Sequence, residues 1–468
     1  MIAVLGAGIA GLTAGYELIK NGVPGKEIVI FEKEDEIGGL AQTKAYNGFK
    51  FDLGPHRWFT RSSEIDQLWN ELNSPEILYL ERHTRIWYKN RLINYPLSPF
   101  NVIKNLGISK SGPALFSYTI QRIKDRFNNA SPQNMEEALI RQFGPALYKA
   151  FFRDYNQKLW GGEGCRELSP DWVGQRVKNL TLSQAVFDAI GLSKKGSVDS
   201  LTDRFKYPVN GCGQLSEKLA QRIKNSGGAI ICNAEVKDIT LSGKRLTHLV
   251  INSGGYVEGY KIDYCISSIP IDNLCRAISP ALPSADILPA ANGLRYRHMI
   301  FVVLFIDAPR ITKDQWVYVQ DPAISFNRFM DMNSWNPALS PPGMTSLVFE
   351  VTCDKRDARW NLSDEEWIKV ISEEFVRGFN FIEKRKVIGG NVYRKSHAYP
   401  VYTLDYKNRL GIIRDAFRKV ENLQLIGRNG LFRYNNMDHS MTTGLIAARN
   451  YSGNTHIDTA DVGNEFHG

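Results

Sequence analysis

Three glycines near the amino terminus have the spacing of a turn that binds phosphate. Gly6, Gly8 and Gly11 follow the apolar run at 2–5 and open a segment with helical spacing. In such a turn the first glycine permits a tight bend, the second lets backbone approach a pyrophosphate, and the third lets the helix pack on the strand. The next apolar run ends at Glu32, where a carboxylate can accept hydrogen bonds from an adenosine ribose. The pattern predicts a dinucleotide site on a strand–turn–helix–strand unit.

A second pair of glycines bears on the identity of the dinucleotide. Gly38 and Gly39 lie six and seven residues after Glu32, and Leu40 follows them. A domain that binds NAD more often continues directly into its third strand, whereas FAD has a larger flavin end that needs further backbone contacts. The sequence therefore predicts FAD, and an ordinary Gly-Gly turn is the structural alternative.

Composition and charge narrow the class of protein. The 468 residues are 43% apolar and 23% charged, which is the balance of a globular chain. This excludes a disordered chain, a collagen-like fibre and a small disulfide scaffold. Lysine and arginine number 58 against 49 aspartate and glutamate, so the net charge is +9. That charge fits nucleotide-linked substrates, nucleic acid or acidic lipid.

Cysteine usage and the start of the chain bear on location. The six cysteines form no CxxC pair, which predicts reduced core thiols and no metal site. Met1 leads directly into a strand without a basic signal segment, and the longest apolar stretch, 299–306, is too short to span a bilayer. We therefore expect a cytoplasmic protein.

The first strand–turn–helix–strand unit predicts an α/β fold, and the family resemblance described below implies a discontinuous, Rossmann-like FAD-binding domain with a doubly wound parallel sheet. We expect that domain to be assembled from residues 1–95, 205–290 and 415–468. The insertion 96–204 reads as a mainly helical substrate lobe, and 291–414 as a mixed α+β substrate domain. The active site would lie where these parts meet.

The apolar patterns also predict individual elements. Strands are predicted at 2–5, 28–31, 229–232, 236–241, 246–251, 264–269, 299–306, 346–352 and 422–426. Helices are predicted at 12–20, 134–143, 145–158, 213–223 and 440–450.

In several motifs the chain resembles the FAD-binding superfamily of amine oxidases, protoporphyrinogen oxidases, phytoene desaturases and UDP-galactopyranose mutases. The amino-terminal glycines carry its fingerprint, and Gly211–Leu215 with Asn233–Val236 resembles its second FAD segment. In that superfamily backbone at the position of Val236 meets adenine. The turn beginning at Gly427 resembles the strand-to-helix turn under the flavin.

Several motifs resemble the mutase branch in particular. They are the Gly-Pro-His loop at 54–56, the segment from Tyr155 to Gly161 with Trp160, the arginine Arg297, and the run from Gly427 to Asp438. The mutases carry an arginine that grips the diphosphate where this chain has Arg176–Leu180, which lacks it.

The resemblance implies the following residue roles. Catalytic residues would be His56, Arg297, Arg433 and Tyr434; substrate-binding residues would be Trp160, Arg297, Tyr402, Arg433 and Tyr434. Residues that bind FAD would be Gly6, Gly8, Gly11, Glu32, Gly38, Gly39, Leu40, His56, Val236, Gly427, Arg428, Met437 and Asp438.

Two classes of reaction follow from the resemblance. The first is a nucleotide-sugar pyranose–furanose mutase, in which N5 of the reduced flavin attacks the anomeric carbon, with NAD(P)H as a conceivable external reductant. The alternative is an oxidoreductase of the protoporphyrinogen oxidase, amine oxidase or desaturase type, which takes a hydride from its substrate. Either way the partner is a small molecule, most simply a nucleotide sugar, and not nucleic acid. Residues 81–126 hold nine Lys or Arg against two Asp or Glu, so a contact with a membrane surface stays an open alternative. The oligomeric state is also open.

Overall fold

A parallel sheet of five strands forms the centre of one half of the molecule. The computed structural model describes residues 1–95, 108–127, 130–176, 204–278, 284–379, 386–453, 455 and 457–462. The sheet has the order β19-β13-β1-β2-β9, and every pair in it is parallel. Its strands are β1 (Ile2–Leu5), β2 (Ile28–Phe31), β9 (Ala229–Ile231), β13 (Tyr264–Ser267) and β19 (Leu423–Leu425). They come from three separated stretches of chain, as expected for a discontinuous domain.

Both faces of the parallel sheet are covered. Because side chains alternate along a strand, Ile2 and Val4 face one layer while Ala3 and Leu5 face the other. The first layer consists of helices Ile9–Lys20, Gln214–Asn225 and Met437–Tyr451. The second layer contains the helix Ile271–Ile278 and an antiparallel meander of β10 (Ala234–Ser242), β11 (Arg245–Ser253) and β12 (Tyr256–Lys261). Covering on both faces makes the sheet doubly wound.

A mixed sheet of seven strands forms the other half, in the order β18-β14-β17-β16-β15-β6-β7. Its strands are β6 (Thr84–Tyr88), β7 (Arg91–Asn94), β14 (Arg295–Ile306), β15 (Trp316–Val319), β16 (Arg328–Asp331), β17 (Thr345–Cys353) and β18 (Val387–Val401). One face, with Phe329 and Phe349, packs on the helix Asp364–Phe379. The opposite face, with Phe301, packs on the hairpin of β3 (Thr43–Tyr46) and β4 (Phe49–Asp52).

All the predicted strands are present. β6 and β7 lie within 1–95, which is predicted to belong to the FAD-binding domain. They belong instead to the mixed sheet, where β6 pairs in parallel with β15. One further ladder joins β5 (Ile77–Glu81) to β8 (Arg204–Pro208).

The remaining described elements are mostly helical. The helix expected at 145–158 is interrupted by a π-helical turn, Tyr148–Phe152, before it continues as Arg153–Trp160. Other helices are Ser63–Asn73, Ile108–Phe127, Met135–Phe143, Pro145–Leu147, Asp171–Arg176, Ile287–Asn292, Tyr406–Phe417 and Gly427–Gly430. Short 3-10 turns occur at Gly25–Glu27, Gly164–Glu167, Met332–Ser334, Pro337–Leu339, Ala358–Asn361 and Thr459–Asp461. Within the described ranges, no helix is both long and apolar enough to cross a bilayer.

Two segments discussed from the sequence lie partly outside the residues that the structure describes. Of the segment compared with the mutase diphosphate arginine, 177–180 lie outside the described residues, as do 96–107 of the basic stretch.

Candidate active site

The amino-terminal glycine turn lies at the carboxyl edge of the parallel sheet. Gly6 has φ of 96°, and its N–H donates to the carbonyl oxygen of Phe31 at 2.8 Å. A Cβ at Gly6 would overlap Ser268 Oγ, and a Cβ at Gly11 would overlap the carbonyl oxygen of Gly6. The turn therefore holds strand and helix at a distance that larger residues do not permit. Gly8 begins the helix, and no side chain among the described residues caps that end.

The second glycine pair lies directly against this turn. Gly38 and Gly39 have φ of 102° and 62°, a region that favours glycine. The Gly38 N–H donates to the carbonyl oxygen of Ala7 at 2.8 Å. A Cβ built on Gly8 would meet only the Cα of Gly39, at 4.0 Å. Two bare backbones thus face each other at an uncapped helix end, which is the arrangement that accepts a diphosphate. Leu40 is partly buried behind the pair.

Glu32 lies beside the glycine turn and is 7% exposed. One carboxylate oxygen accepts from the Ala7 N–H at 2.8 Å, and the other accepts from the Glu34 N–H at 3.0 Å. Burial raises the pKa of Glu32, and the two backbone N–H groups oppose that rise. Val236 lies two residues after Ala234, whose N–H donates to the Glu32 carbonyl oxygen. The predicted nucleotide-binding residues are therefore neighbours in space.

The carboxy-terminal turn brings further predicted residues to the same edge. Gly427 has φ of 72°, and its N–H donates to Thr443 Oγ1 at 2.9 Å. Met437 and Asp438 begin the helix that packs against the first helix. Several buried side-chain atoms of this region and of the Gly-Pro-His loop have no hydrogen-bond partner among the described residues: His56 Nδ1, Asn429 Oδ1, Asn435 Nδ2 and Asp438 Oδ1. Buried polar atoms without partners are costly, so a ring with several donors and acceptors, such as a flavin, fits here.

Arg428 is fixed at this flavin end by backbone carbonyls. Its Nε and Nη2 donate to the carbonyl oxygen of Asn435 at 3.1 and 2.7 Å, and Nη1 donates to that of Ala398 at 3.1 Å. The guanidinium lies over the Tyr434 ring, 4.7 Å from its centroid. Burial, together with the charges of Arg428 and Arg328, lowers the pKa of His56 to about 3. His56 is therefore neutral at physiological pH.

One transverse row of the mixed sheet lines the site. Tyr318, Arg328 and Glu350 lie opposite one another on β15, β16 and β17. Arg328 Nη2 donates to both carboxylate oxygens of Glu350 at 2.8 and 2.6 Å. A Cβ on Gly54 would lie 3.4 Å from both Glu350 Oε1 and His56 Cε1, which places the Gly-Pro-His loop on this row.

Aromatic side chains form a wall at one side of the row. Trp172 meets Trp160, Tyr402 and Tyr434 edge to face, with ring centroids 4.5, 5.7 and 5.0 Å away. Tyr399 stacks on Tyr434 at 5.4 Å. The three predicted aromatic residues Trp160, Tyr402 and Tyr434 are thus gathered around Trp172. Trp160 also donates from Nε1 to Asn156 Oδ1 at 3.1 Å.

Arg297 lies at the end of this wall and is 6% exposed. Its Nε donates to the carbonyl oxygen of Leu159 at 2.9 Å, which is its one acceptor among the described residues. Gly161, with φ of 68°, allows a close approach, since a Cβ there would lie 3.0 Å from Arg297 Nη1. Burial lowers the pKa of Arg297. The Nη groups are therefore available to a ligand.

Arg433 has a different environment from Arg297. Its Nη1 donates to the carbonyl oxygens of Ala460 and Val462 in the carboxy-terminal segment. Both arginines are predicted to bind the substrate, and in the structure this Arg433 nitrogen donates to the segment at 460–462.

Sequence reasoning missed several residues that the structure brings to the site. One of them, Tyr155, opens the segment from Tyr155 to Gly161 that resembles the mutases. Burial keeps the pKa of its hydroxyl well above the ordinary value, and Tyr318 and Tyr399 lie nearby. No local motif marks the others, which are Trp172, Tyr318, Arg328, Glu350 and Tyr399. For the four of these that lie on strands, alternation along the strand was the only available signal; Trp172 lies on the helix Asp171–Arg176 and had none. No group of three or more possible metal ligands occurs within the described residues.

The fold and this site together define a flavoprotein with a dinucleotide-binding domain and a separate sheet over the flavin position. The family described as "Flavin containing amine oxidoreductase" matches residues 9–449, so the chain belongs to that family. Membership implies FAD as the cofactor.

Individual relatives share only low sequence identity with this chain. Coproporphyrinogen III oxidase of Staphylococcus aureus is 25% identical over 274 residues, 52% of this chain and 56% of that protein, so the alignment spans little more than half of the relative. The 15-cis-phytoene desaturase of Synechococcus elongatus is 22% identical over 375 residues, 74% of each chain. The crystal structure of reduced UDP-galactopyranose mutase superposes with a TM-score of 0.86 at 23% identity, covering 100% of this chain and 98% of that one.

Proposed function

We propose that this protein is a flavin-dependent mutase that interconverts pyranose and furanose forms of a nucleotide sugar. The observation that carries the proposal is Arg297, a buried guanidinium beside Trp160 and Gly161 with both Nη groups available. The fold supports it, because reduced UDP-galactopyranose mutase superposes over the whole chain.

The charges of the site favour an anionic substrate. Arg297, Arg328 and Arg428 contribute three positive charges. Glu350 and Asp438 contribute two negative charges, and Arg328 already pairs with Glu350. A guanidinium whose Nη groups have no other acceptor can donate to two phosphate oxygens at once. Arg297 would thus hold the diphosphate and neutralise it as it leaves the sugar, while the aromatic wall would hold the nucleoside or the sugar ring.

The site residues also fit a reaction that needs no protein base. His56, with its pKa lowered to about 3, accepts a proton poorly at neutral pH. Both oxygens of Glu350 accept from Arg328, which removes that carboxylate from the role of base. When bound and reduced, the flavin would supply the electron pair that displaces the diphosphate from the anomeric carbon. The protein then has to position the sugar, exclude water and stabilise the departing anion.

The alternative is a net oxidation in which the substrate gives a hydride to the flavin. The family and the two relatives named above, an oxidase and a desaturase, favour it. A hydride donor of this kind need not carry a diphosphate. The two proposals therefore differ in whether a nucleoside diphosphate binds.

The experiment uses the purified protein with bound FAD and a panel of nucleoside diphosphates and nucleotide sugars. Binding is measured by calorimetry on the wild type, on Arg297→Ala, and on Arg245→Ala, which removes an exposed charge from β11. Loss of charge-assisted hydrogen bonds worth about 2 kcal/mol should weaken binding by about 30-fold in Arg297→Ala. The Arg245→Ala protein should bind like the wild type, and FAD content should not change in either variant.

Activity separates the two reactions. A mutase turns over after dithionite reduction without net consumption of reductant. An oxidoreductase bleaches with substrate and recovers its yellow colour with an oxidant. Bleaching by substrate, with no affinity for any nucleoside diphosphate, would replace the mutase proposal with the alternative.

A further inference from the structure

A bulge in β18 lies next to the flavin-side arginine. The pairing of β14 with β18 is interrupted at His298, which alone opposes residues 396–398. His397, in the middle of the bulge, has φ of 55°. Histidine adopts this left-handed conformation more often than most residues. Bulges of this kind redirect backbone and side chains next to active sites.

Three groups contact the bulge, with His298 on one side and Asp272 and Tyr296 on the other. The His397 N–H donates to His298 Nδ1 at 3.1 Å, so that nitrogen must be unprotonated. Burial and the neighbouring charges of His397 and Lys355 lower the pKa of His298 to about 4, which keeps it an acceptor at neutral pH. On the other side, His397 Nε2 lies 3.7 Å from Asp272 Oδ2, and the Tyr296 ring meets the imidazole edge at 4.6 Å.

Asp272 connects the bulge to the cofactor half of the molecule. It is 4% exposed and begins the helix that follows β13 of the parallel sheet. Although burial opposes its ionisation, His397 and Arg276 hold the pKa of Asp272 below its ordinary value. A charged, fixed carboxylate therefore faces His397.

The bulge presents its next two residues to the site. The carbonyl oxygen of Ala398 accepts from Arg428 Nη1 at 3.1 Å. Tyr399 follows and stacks on Tyr434, the ring that lies under the same guanidinium. The hydrogen bond from Arg428 Nη1 therefore depends on the backbone next to His397, while Nε and Nη2 are held by Asn435.

We propose that His397 is a positioning residue, which with Asp272 and His298 holds the β18 bulge so that the Ala398 carbonyl fixes Arg428 beside the flavin. The inference rests on the flavin site proposed above. A fixed cation next to the ring stabilises the anionic reduced flavin, so loosening Arg428 makes the flavin harder to reduce.

The test measures the midpoint potential of bound FAD at neutral pH by spectroelectrochemistry. The variants are His397→Gly and His397→Asn, which both tolerate the left-handed backbone, Arg428→Ala, and the double variant His397→Gly/Arg428→Ala. His248→Gly, at an exposed position on β11, is the control. FAD content and thermal unfolding are recorded for each protein.

His397→Gly should bind FAD normally and lower the equilibrium constant for its reduction about tenfold, which is about 30 mV for two electrons. Arg428→Ala should lower it at least as much, and the double variant should match Arg428→Ala alone, because His397 acts through Arg428. His248→Gly should keep the wild-type potential.

Three results would overturn the inference. They are a wild-type potential in both His397 variants, additive shifts in the double variant, or an unchanged potential in Arg428→Ala. A wild type that binds no FAD would instead refute the flavin site itself, and the inference with it.

Discussion

Two of the three glycines of the amino-terminal turn, Gly8 and Gly11, should respond differently to alanine. A Cβ at Gly8 meets only Gly39 Cα, at 4.0 Å, so Gly8→Ala fits the protein without a clash. Its φ of −71° is also open to alanine. The loss of a good helix-capping residue costs about 0.5–1 kcal/mol, and the reduced entropy of the unfolded chain offsets about as much. We therefore expect the free energy of unfolding to change by less than about 1 kcal/mol.

The same methyl group stands in the space that a diphosphate needs. It keeps phosphate oxygens from the uncapped helix end and removes at least one charge-assisted hydrogen bond, worth about 3 kcal/mol at most. FAD affinity should fall by about 100-fold, which leaves purified Gly8→Ala nearly colourless.

Gly11→Ala is the matched comparison. Its Cβ overlaps the Gly6 carbonyl oxygen, so helix and strand must separate. Overpacking of this kind costs about 1–3 kcal/mol or more, and the variant should lose stability even without FAD.

The assay measures FAD affinity by fluorescence quenching on apoprotein, with urea unfolding of the same samples. Gly8→Ala that retains wild-type FAD affinity would refute the placement of the diphosphate at this turn. Gly11→Ala as stable as the wild type would refute the close helix–strand contact.

Two further predictions concern stability. His298 has a pKa lowered to about 4 by burial and by the charges of His397 and Lys355, against about 6.5 in the unfolded chain. As pH falls from 6.5 to 4 the unfolded chain takes up a proton that the folded chain does not, so stability should fall by up to about 3 kcal/mol. His298→Gln should remove this part of the pH dependence in urea unfolding, and equal pH profiles would contradict the assignment. Lys158 Nζ donates to the carbonyl oxygens of Asp321, Ile324 and Phe326 at 2.8, 3.0 and 2.9 Å. Lys158→Met removes this donor from all three oxygens, of which that of Asp321 keeps the Ile324 N–H at 3.3 Å. The change should cost about 2–3 kcal/mol in the same assay, whereas an unchanged midpoint would show that water replaces the ammonium.

The nucleotide half of the site could be predicted because its signals are local. Gly6, Gly8 and Gly11 act through backbone within one turn, and Glu32 stands at the end of the adjacent strand. The structure gathers these residues as expected. The fold class followed from the same reasoning, since apolar runs and helical spacing are also local patterns.

The substrate half could be predicted only in part. Trp160, Arg297 and Tyr434 were named from motifs, and the structure brings them to one wall and its end. The resemblance could not show that Arg433 donates to the carbonyl oxygen of Ala460, because that contact depends on tertiary packing of the segment at 460–462.

By itself, the sequence determined that a glycine turn opens a doubly wound sheet, because glycine spacing and strand composition act on neighbouring residues. Only the tertiary structure decided which side chains of the mixed sheet line the proposed flavin site. Tyr318, Arg328 and Glu350 share a row because of strand register, and one residue of slip would turn each to the opposite face. The bulge at 396–398 changes that register again beside Arg428. Register depends on pairing between strands that are distant in the chain, and no local pattern specifies it.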